Sequence, residues 1–485
     1  MFRTETARPL PESATLLGSL IDGEWFPQGK EFEVRDKFHG HLLAKMPEAS
    51  RETVERAVRT TLAAFEAGAP KPLERKQILL RVADLVGKNR SQFVHSIVAE
   101  AGFTTIDAST EVDRTIVTFT LAAEEATRLV GETVSFENSA NQSGRLGFTL
   151  RMPLGVVCAI TPFNSPLNTV AHKVAPALAA GNTVILKPAG QTPLTAALLC
   201  KTILEAGYPP AHLALVQGQG RVVGEWLLQE QAISFYSFTG STEVGRLIQS
   251  GAGLRRTQLE LGSIASAIVC KDADLDRAVP KIVNAGFRKA GQVCTSIQRL
   301  YVERACVDDV SERLRSKVVA LQVGDPHMPK TEVGPMISEA AAERAHSWIR
   351  NAAAKQARVI CGGSRSGPTL SPTILTNVSD GMEVVDREIF APVMSILPFD
   401  RLDDAVKHAN NTPFGLAAGL FTRDINQALH FARKLRFGSI HINETSSARA
   451  DGMPFGGVKE SGHGQEGPSY AMRELTEERL VTFNV

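Results

Sequence analysis

The spacing of apolar residues predicts a mainly helical N-terminal region after a short β-rich entry. A helix over 51–67 has its apolar residues three to four positions apart, at Val54, Val58, Leu62 and Phe65. Gly68 and Pro70 would end this helix. Two further runs share the helical period, one with Ile78, Leu79, Val82 and Val86, and one over about 108–130.

Short apolar segments then alternate with helical ones through the middle of the chain. Buried parallel strands are predicted at 155–160, 183–186, 213–216 and 233–236. Helices are predicted at 167–180, 193–206, 222–230 and 242–249. We expect Thr192 to cap the second of these helices, with Pro193 in its first turn and Gly207 beyond its end. The alternation predicts an α/β fold with a doubly wound sheet, in which ligands bind at the carboxyl ends of the strands.

A second α/β series follows Leu261. Its strands are predicted near 267–270, 299–302, 418–421 and 439–442, and its helices near 308–321, 403–409 and 425–435. Two strand-like stretches, 144–152 and 480–485, belong to neither series. We interpret both as arms that pair with a neighbouring subunit.

Composition narrows the class of protein. A chain of 485 residues is too long for one ordinary core, so two or three domains are expected. Its 43% hydrophobic and 22% charged content favours a globular protein over a disordered one. The net charge of +1 gives no reason to expect nucleic acid or an anionic membrane as a partner. No apolar run is long enough for a membrane span, and residues 1–20 lack the apolar core of a signal peptide.

The cysteines indicate the compartment. The six of them, at positions 158, 200, 270, 294, 306 and 361, are too irregularly spaced for a disulfide framework or a zinc site. We therefore expect free thiols, no bound metal and a reducing cytoplasm as the compartment.

Three residues carry candidate chemistry. Cys294 lies in the small-residue stretch AGQVCTS at 290–296, Glu260 comes 34 positions earlier, and Asn164 lies further upstream. A soft nucleophile, a carboxylate that activates water and an amide that holds an oxyanion suit covalent chemistry on a carbonyl. Each also has a plainer interpretation: a small buried hydrophobe for the cysteine, a turn residue before Pro166 for the asparagine, and a solvated edge carboxylate for the glutamate.

Seven segments in a fixed order carry a resemblance to a known family. They read TPFNSP at 161–166, LKP at 186–188, FTGSTEVG at 238–245, LELG at 259–262, GQVC at 291–294, EIFAPV at 388–393 and PFGG at 454–457. Over nearly its whole length the chain resembles the aldehyde dehydrogenase superfamily, in its lactaldehyde and semialdehyde dehydrogenase branch.

The resemblance implies a three-part architecture. It comprises a Rossmann-like dinucleotide-binding domain at 1–134 and 152–259, an α/β catalytic domain at 260–443, and a small β oligomerisation arm at 135–151 and 465–485. Members of the family assemble, so a homodimer or homotetramer is expected, with a small-molecule aldehyde as the other partner.

The resemblance also implies catalytic roles. Cys294 attacks the aldehyde carbon, Asn164 and the Cys294 backbone N–H hold the oxyanion, and Glu260 activates the water that hydrolyses the thioester. Glu466 matches a glutamate of the family thought to relay protons.

NAD or NADP is the implied cofactor. Lys187 would reach the adenosine ribose, Ser241 the pyrophosphate, Glu388 the nicotinamide ribose, and Phe390 the nicotinamide ring. The remaining implied contacts are Ile160, Thr161, Pro162, Phe163, Ala189, Gly190, Gly220, Arg221, Phe238, Gly240 and Leu261.

Two departures from the family pattern bear on the reaction. Many members have a glutamate where Gly190 stands, and its absence removes a barrier to the 2′-phosphate of NADP, which Arg221 could bind. Arg221 could equally be an ordinary exposed residue at a helix start. Ser263 replaces a usual glycine, but Glu260 is retained, which favours hydrolysis over transfer to coenzyme A.

The substrate-binding residues are predicted by the same resemblance. Arg288 and His172 stand where semialdehyde-using relatives place arginines, and Asn168 and Ser165 would line a polar tunnel, with Val293 and Thr295 beside the thiol. Thr120 stands where another anion-binding arginine is expected. Arg288 could alternatively form a structural salt bridge under the nucleophile loop. A polar or anionic aldehyde, either a semialdehyde or a hydroxyaldehyde, is therefore the predicted substrate.

The sequence thus predicts an NAD(P)-dependent aldehyde dehydrogenase that makes a carboxylic acid through a cysteine thiohemiacetal and a thioester. Three alternatives stay open: a coenzyme A-acylating dehydrogenase, an aromatic aldehyde dehydrogenase, and a catalytically idle relative recruited for binding.

Overall fold

The computed structural model describes residues 18–138, 140–142 and 144–484. The expectations for residues 1–17, and for the last residue of the 480–485 arm, lie outside these ranges. Within them, no helix is both long enough and apolar enough to cross a membrane.

The N-terminal region contains four short strands and four helices. They are β1 Ser19–Ile21, β2 Glu24–Phe26, β3 Glu31–Arg35, β4 Leu42–Pro47, α1 Arg51–Ala67, α2 Pro72–Lys88, α3 Arg90–Ala101 and α4 Thr105–Glu125. The predicted helix over 51–67 is confirmed, and Ser50 caps it by accepting a hydrogen bond from the Thr53 N–H at 3.1 Å. Sequence periodicity missed α3 and extended α4 beyond its true end.

The first large sheet contains the predicted alternating elements. After β5 Thr133–Val134 and β6 Arg145–Pro153, the chain forms β7 Val156–Ile160, α5 Asn168–Ala180, β8 Thr183–Lys187, α6 Pro193–Glu205, β9 Leu213–Leu215, α7 Gly220–Gln229, β10 Ile233–Thr239, α8 Thr242–Ala252 and β11 Arg256–Glu260. The strands run in the order β2-β1-β9-β8-β7-β10-β11, and those from β9 to β11 are parallel. The predicted α/β fold and its doubly wound sheet are confirmed.

A second sheet is built from the rest of the chain. This part of the chain contains β12 Ala265–Val269, α9 Leu275–Phe287, β13 Ile297–Glu303, α10 Val307–Val319, α11 Glu339–Ala354, β14 Arg358–Cys361, β15 Arg365–Ser366, β16 Thr369–Leu370, β17 Thr373–Thr376, α12 Glu383–Asp386, β18 Val393–Phe399, α13 Leu402–Asn410, β19 Ala417–Phe421, α14 Ile425–Lys434, β20 Ser439–Ile442, β21 Gly462–His463, α15 Pro468–Glu474 and β22 Thr476–Asn484. Seven of these strands form the second sheet, whereas β15 and β16 pair only with each other. The order is β14-β17-β18-β13-β12-β19-β20, with only β14 antiparallel to its neighbour. After β20 the chain returns to the first sheet, where β21 pairs with β11. The C-terminal part of the chain therefore contributes to both sheets.

The two arm stretches pair with each other. β22 runs antiparallel to β6 through nine residue pairs, from Thr476 opposite Pro153 to Asn484 opposite Arg145, and β5 lies on the other side of β6. β22 covers one edge of β6 along its length, but β5 covers only Gly147 and Phe148 on the other edge. Pairing of these stretches with a neighbouring subunit therefore stays a prediction. Assembly of subunits stays a prediction, as do the domain boundaries.

The predicted cap of α6 is also corrected. The Thr192 hydroxyl has no hydrogen-bond partner among the described residues. The buried carboxylate of Glu100, on α3, instead accepts hydrogen bonds from the N–H groups of Leu194 and Thr195, both at 2.8 Å. A cap supplied from 94 positions away leaves no local sequence signal.

Candidate active site

One large cavity lies at the carboxyl ends of the parallel strands of the first sheet. It has a volume of about 1150 Å³ and is lined from both sheets. Among its lining residues are all the predicted catalytic, cofactor-binding and substrate-binding residues except His172: Ile160, Thr161, Pro162, Phe163, Asn164, Asn168, Lys187, Ala189, Gly190, Gly220, Arg221, Phe238, Gly240, Ser241, Glu260, Leu261, Arg288, Val293, Cys294, Thr295, Glu388 and Phe390. Positions that are far apart in the sequence therefore meet at one site.

A tight turn presents the candidate nucleophile. Between α9 and Cys294, three consecutive residues adopt left-handed backbone conformations: Lys289 and Ala290, each at φ 52°, and Gly291 at φ 67°. A Cβ at Gly291 would lie 2.1 Å from the Ala391 carbonyl oxygen, so only glycine fits there. Strained backbone of this kind persists where surrounding contacts hold it.

Those contacts come from a buried ion pair. Lys289 Nζ lies 2.6 Å from Glu111 Oε2 and also donates to the backbone oxygen of Asn164 at 2.9 Å. The other oxygen of Glu111 accepts hydrogen bonds from Ser165 Oγ and the Leu167 N–H, at 3.0 and 2.9 Å. The pair thus joins the turn before Cys294 to the loop that carries Asn164.

The side chain of Asn164 is fixed across the same junction. Its Nδ2 donates to the Gln292 carbonyl oxygen at 2.9 Å, two residues before Cys294. This long-range bond argues against the plainer interpretation of Asn164 as a turn residue. The second N–H of the amide makes no hydrogen bond to any residue the structure describes, so it is available to a developing oxyanion.

Burial controls the protonation of the two reactive groups. Cys294 is partly open to the cavity, yet burial raises the pKa of its thiol to about 12, and nearby Glu260 adds to the rise. Burial and the neighbouring Glu466 raise the pKa of Glu260 well above its usual range. Neither carboxyl oxygen of Glu260 has a hydrogen-bond partner among the described residues. A solvated edge carboxylate is therefore the wrong description of Glu260.

Glu466 behaves oppositely although it is equally buried. Burial opposes its ionisation, but Lys173 and Arg449 outweigh that effect and hold the pKa of Glu466 below its usual range. Lys173 Nζ lies 3.2 Å from one of its oxygens and Arg449 Nη2 lies 2.6 Å from the other. Two glutamates with pKa values pushed apart are typical of paired acid–base groups.

Three of the arginines that line the cavity are Arg288, Arg114 and Arg449. Arg114 pairs with Asp451 through Nη2 at 2.8 Å and Nε at 3.2 Å, and Arg449 pairs with Glu466. The side chain of Arg288 makes no ion pair and no hydrogen bond within the part of the chain the structure describes. The alternative of a structural salt bridge at Arg288 therefore finds no support.

His172 is a correction to the predicted substrate residues. It is buried behind the cavity, with Nε2 3.0 Å from Asp451 Oδ1, and does not line the space. Asn168, one helical turn earlier, lines the cavity but donates its side-chain amide to the same carboxylate at 3.0 Å. Both residues hold Asp451, and Asp451 holds Arg114. Sequence reasoning missed Arg114 and Asp451 because neither lies in a recognised motif, although Arg114 is on α4 six positions before Thr120.

The opposite end of the cavity suits a dinucleotide. Ser241 caps α8, whose N–H groups and positive dipole favour a pyrophosphate. The Glu388 side chain accepts a hydrogen bond from the Ser263 N–H at 2.8 Å, and burial raises the pKa of Glu388 to about 7. Lys187 is buried, and burial lowers the pKa of its ammonium group to about 8.

The end of the cavity that is predicted to bind adenosine is open and is lined by two cationic side chains, Lys187 and Arg221. A Cβ at Gly190 would meet nothing closer than the Gly218 carbonyl oxygen at 3.8 Å, so the glycine leaves free space rather than filling a tight turn. Arg221 begins α7, is exposed and makes no ion pair with a described residue. These residues fit NAD and also leave room beside a positive charge for the 2′-phosphate of NADP.

The chain is similar to known proteins along almost its whole length. The model of the aldehyde dehydrogenase family matches residues 25–481. The chain is 42% identical over 468 residues to 3-sulfolactaldehyde dehydrogenase of Priestia megaterium, covering 96% of this chain and 98% of the relative. It is 37% identical over 470 residues to lactaldehyde dehydrogenase of Methanocaldococcus jannaschii, covering 96% and 100%.

Two solved structures are similar along almost their whole length. Aldehyde dehydrogenase 21 from Physcomitrella patens, in complex with the reaction product succinate, has a TM-score of 0.94 at 34% identity, with 96% of this chain and 98% of that chain covered. Glyceraldehyde-3-phosphate dehydrogenase GapN from Methanocaldococcus jannaschii, complexed with NADP, has a TM-score of 0.91 at 36% identity, with 94% and 100% covered.

Proposed function

The chain belongs to the aldehyde dehydrogenase family and is an NAD(P)-dependent oxidoreductase for a polar aldehyde, and we propose that this aldehyde is short and carries an anionic group. The product is the free carboxylic acid. The anionic group, a carboxylate or a sulfonate, is bound by Arg288 and Arg114.

The unpaired guanidinium of Arg288 is the observation that supports this proposal most strongly. Arg288 is half-buried and lines the cavity, so its unpaired guanidinium faces the space that a ligand would occupy. The surrounding protein lowers the pKa of Arg288 from its ordinary value by burial. An anion that enters the cavity would supply the missing partner and accept two parallel hydrogen bonds from the guanidinium. Arg114 is oriented by Asp451, which offsets its charge, and adds N–H donors to the lining of the cavity. An uncharged alkyl aldehyde would leave Arg288 unsatisfied.

The compared proteins support the same class of substrate. One relative is named for 3-sulfolactaldehyde, which carries a sulfonate, and one similar structure contains succinate, a dicarboxylate. Both molecules are short and have an anionic group at the end opposite the reacting carbon. The arginines that line the cavity with Cys294 suit a substrate of this kind.

The residues of this chain divide the chemistry among them. The sulfur of Cys294 forms a bond to the carbonyl carbon, and the negative charge that develops on oxygen is held by the free N–H of the Asn164 amide and by the Cys294 backbone N–H. When bound, NAD or NADP accepts the hydride that leaves the former aldehyde carbon, which converts the adduct to a thioester. Glu260 takes a proton from water and the water oxygen bonds to the thioester carbon. The C–S bond then breaks, and Glu260 returns the proton to the leaving sulfur, which releases the acid and the thiol.

Deprotonation of the thiol is the step that the site must arrange. Because the pKa of Cys294 is raised, its proton has to leave as the sulfur attacks, and the ionised form of the neighbouring Glu260 accepts it. Arg449 is the cation nearby that favours the thiolate. Glu260 becomes a competent base when its own proton moves on. Glu466 stays ionised because Lys173 and Arg449 hold its pKa low, so it raises the pKa of Glu260 and the proton of Glu260 leaves to water rather than to Glu466.

For the cofactor, we propose that NADP is used at least as readily as NAD. The open space at Gly190 and the exposed Arg221 support this, and a similar structure was solved with NADP. Steady-state kinetics with both cofactors test it. A kcat/KM for NADP clearly below that for NAD would refute it.

The test of the substrate class is a panel of aldehydes assayed without coenzyme A. Succinic semialdehyde and 3-sulfolactaldehyde should give kcat/KM values at least tenfold above those of propanal and benzaldehyde. Turnover that requires coenzyme A would favour the acylating alternative. A preference for benzaldehyde would favour the aromatic one, and no reduction of either cofactor would favour the idle relative.

A further inference from the structure

A cluster of histidines and carboxylates lies outside the cavity. Four of the chain's 11 histidines form one connected group of rings, with centroids 5.5 to 6.2 Å apart: His39, His41, His95 and His327. Two carboxylates, Asp36 and Asp325, lie among them. The lining of the cavity includes none of these six residues, and the proposed reaction does not use them.

Three of these side chains converge on one point. One ligand atom each from Asp36, His39 and His327 lies within 4.8 Å of the other two. Asp36 Oδ1 is 3.4 Å from His39 Nδ1, and Asp36 Oδ2 is 3.0 Å from His327 Nε2. Neighbouring ligands of a tetrahedral ion bound at about 2.0–2.2 Å lie roughly 3.3–3.6 Å apart. Asp36 uses a different oxygen for each histidine, so a bound ion would replace the His327–Asp36 hydrogen bond and draw three ligand atoms that lie within 4.8 Å of one another closer together.

The surrounding groups orient the three side chains. Asp36 Oδ1 accepts hydrogen bonds from the N–H groups of Phe38 and His39 at 2.9 and 2.7 Å, which fixes the carboxylate. The second nitrogen of His39, Nε2, faces Asp325 Oδ2 at 3.2 Å. Metal-binding histidines usually donate their other N–H to a carboxylate in this way. His327 has its own backbone N–H bonded to Asp325 at 3.0 Å.

We propose that Asp36, His39 and His327 form a binding site for a divalent transition-metal ion such as Zn²⁺, with Asp325 orienting His39. Two imidazoles and one carboxylate favour zinc over magnesium or calcium, which prefer oxygen ligands alone. The Asp36 side chain is 1% exposed and that of His39 is 44% exposed, so the site is anchored in the protein and open to solvent on one side. Water would complete the coordination there.

The site would join two distant parts of the chain. Asp36 and His39 follow β3 and lie in the N-terminal region, whereas His327 lies in the segment between α10 and α11. A shared ion would fasten the two parts together and stabilise the folded state by mass action, because the unfolded chain does not hold the three ligands in place. The expectation of no metal rests on the cysteines, and this cluster contains none.

The experiment measures Zn²⁺ binding by isothermal titration calorimetry in the full-length Cys294→Ser chain. That substitution removes the cavity thiol, because thiolates also bind Zn²⁺ and would confuse the titration. We expect one Zn²⁺ per chain, with binding weakened at least tenfold by His39→Asn and by His327→Asn. The matched control is His41→Asn in the same background, which should bind Zn²⁺ like its parent.

Thermal unfolding shows whether a variant that binds Zn²⁺ more weakly is still folded. Each variant is melted in EDTA and in Zn²⁺, and we expect the Tm to rise with Zn²⁺ in the parent and in His41→Asn but not in His39→Asn. His39 is exposed, so its substitution should leave the Tm in EDTA unchanged. Absence of stoichiometric binding in the Cys294→Ser chain, or equal affinity in His39→Asn, His327→Asn and His41→Asn, would overturn the proposal.

Discussion

Lys289 and Glu111 form a buried ion pair 2.6 Å long that joins the two loops carrying the reactive groups. Lys289 belongs to the left-handed turn before Cys294, and Glu111 holds the loop after Asn164 through Ser165 and Leu167. The relative position of sulfur and amide therefore depends on a contact that neither of them makes.

The first prediction concerns this pair. Lys289→Met leaves the carboxylate of Glu111 buried without its cation, which should cost about 3–5 kcal/mol of unfolding free energy. The turn should also relax, so kcat should fall while the affinity for NADP changes little. Urea unfolding, steady-state kinetics and cofactor titration measure the three quantities.

An exposed pair provides the control. Lys88 and Asp84 lie 2.7 Å apart on the surface of α2, and Lys88→Met should cost no more than about 1 kcal/mol and leave kcat unchanged. If Lys289→Met destabilised the protein no more than Lys88→Met does, the proposed structural role of the buried pair would be wrong.

The second prediction concerns the anionic end of the substrate. Arg288→Ala should lower kcat/KM for succinic semialdehyde roughly thirtyfold or more, because it removes the cation facing a desolvated carboxylate. This loss corresponds to about 2–5 kcal/mol of free energy. Propanal has no such group and should be affected far less. The measurement is kcat/KM for both aldehydes in both proteins.

Arg315→Ala is the matched control for Arg288→Ala. Arg315 lies on the exposed face of α10 beside Glu312, away from the cavity lining. It should leave both kcat/KM values unchanged. Equal losses for the charged and the uncharged aldehyde in Arg288→Ala would show that this arginine shapes the loop instead of binding an anion.

The third prediction concerns the cofactor. Gly190→Glu places a carboxylate in open space near the adenosine end, where it should repel a 2′-phosphate and lower kcat/KM for NADP at least tenfold relative to NAD. Arg221→Ala should lower it in the same direction. Gly324→Glu, at an equally uncrowded glycine outside the cavity, should change neither. An unchanged ratio of NADP to NAD in Gly190→Glu would refute the proposed position of the phosphate.

The fourth prediction concerns pH. Below the pKa of a thiol, the thiolate fraction rises about tenfold for each pH unit. Burial raises the pKa of Cys294 to about 12, so its alkylation by iodoacetamide should keep rising from pH 7 to pH 9.5. A free thiol, with a pKa of about 8.5, would instead level off over this range. Labelling of Cys294→Ser gives the background from the other five cysteines. A plateau below pH 8.5 would show that the site activates the thiol without substrate.

Much of the site could be predicted from the sequence because its residues lie in short motifs with fixed spacing. Cys294, Glu260 and Asn164 were predicted in this way, and all three line the cavity. The parallel strands were also predictable, because short continuous apolar runs that alternate with helices are typical of strands buried on both faces of a sheet.

The residues that support the site could not be predicted in the same way. Glu111, Asp451 and Glu100 are buried carboxylates on helices or loops far in sequence from the groups that they hold. Their partners are backbone N–H groups and cations that come into contact only when the chain is folded. His172 shows the converse, since one helical turn separates a residue that lines the cavity from one that lies behind it.

The most direct test of the proposed reaction is the rate at which Cys294→Ser reduces cofactor in the presence of its best aldehyde, measured alongside its affinity for NADP. The account predicts a fall in rate of about four orders of magnitude or more, as expected for loss of a covalent nucleophile, with NADP affinity within about twofold of the parent. Oxidation at the parent's rate by the serine variant would contradict it.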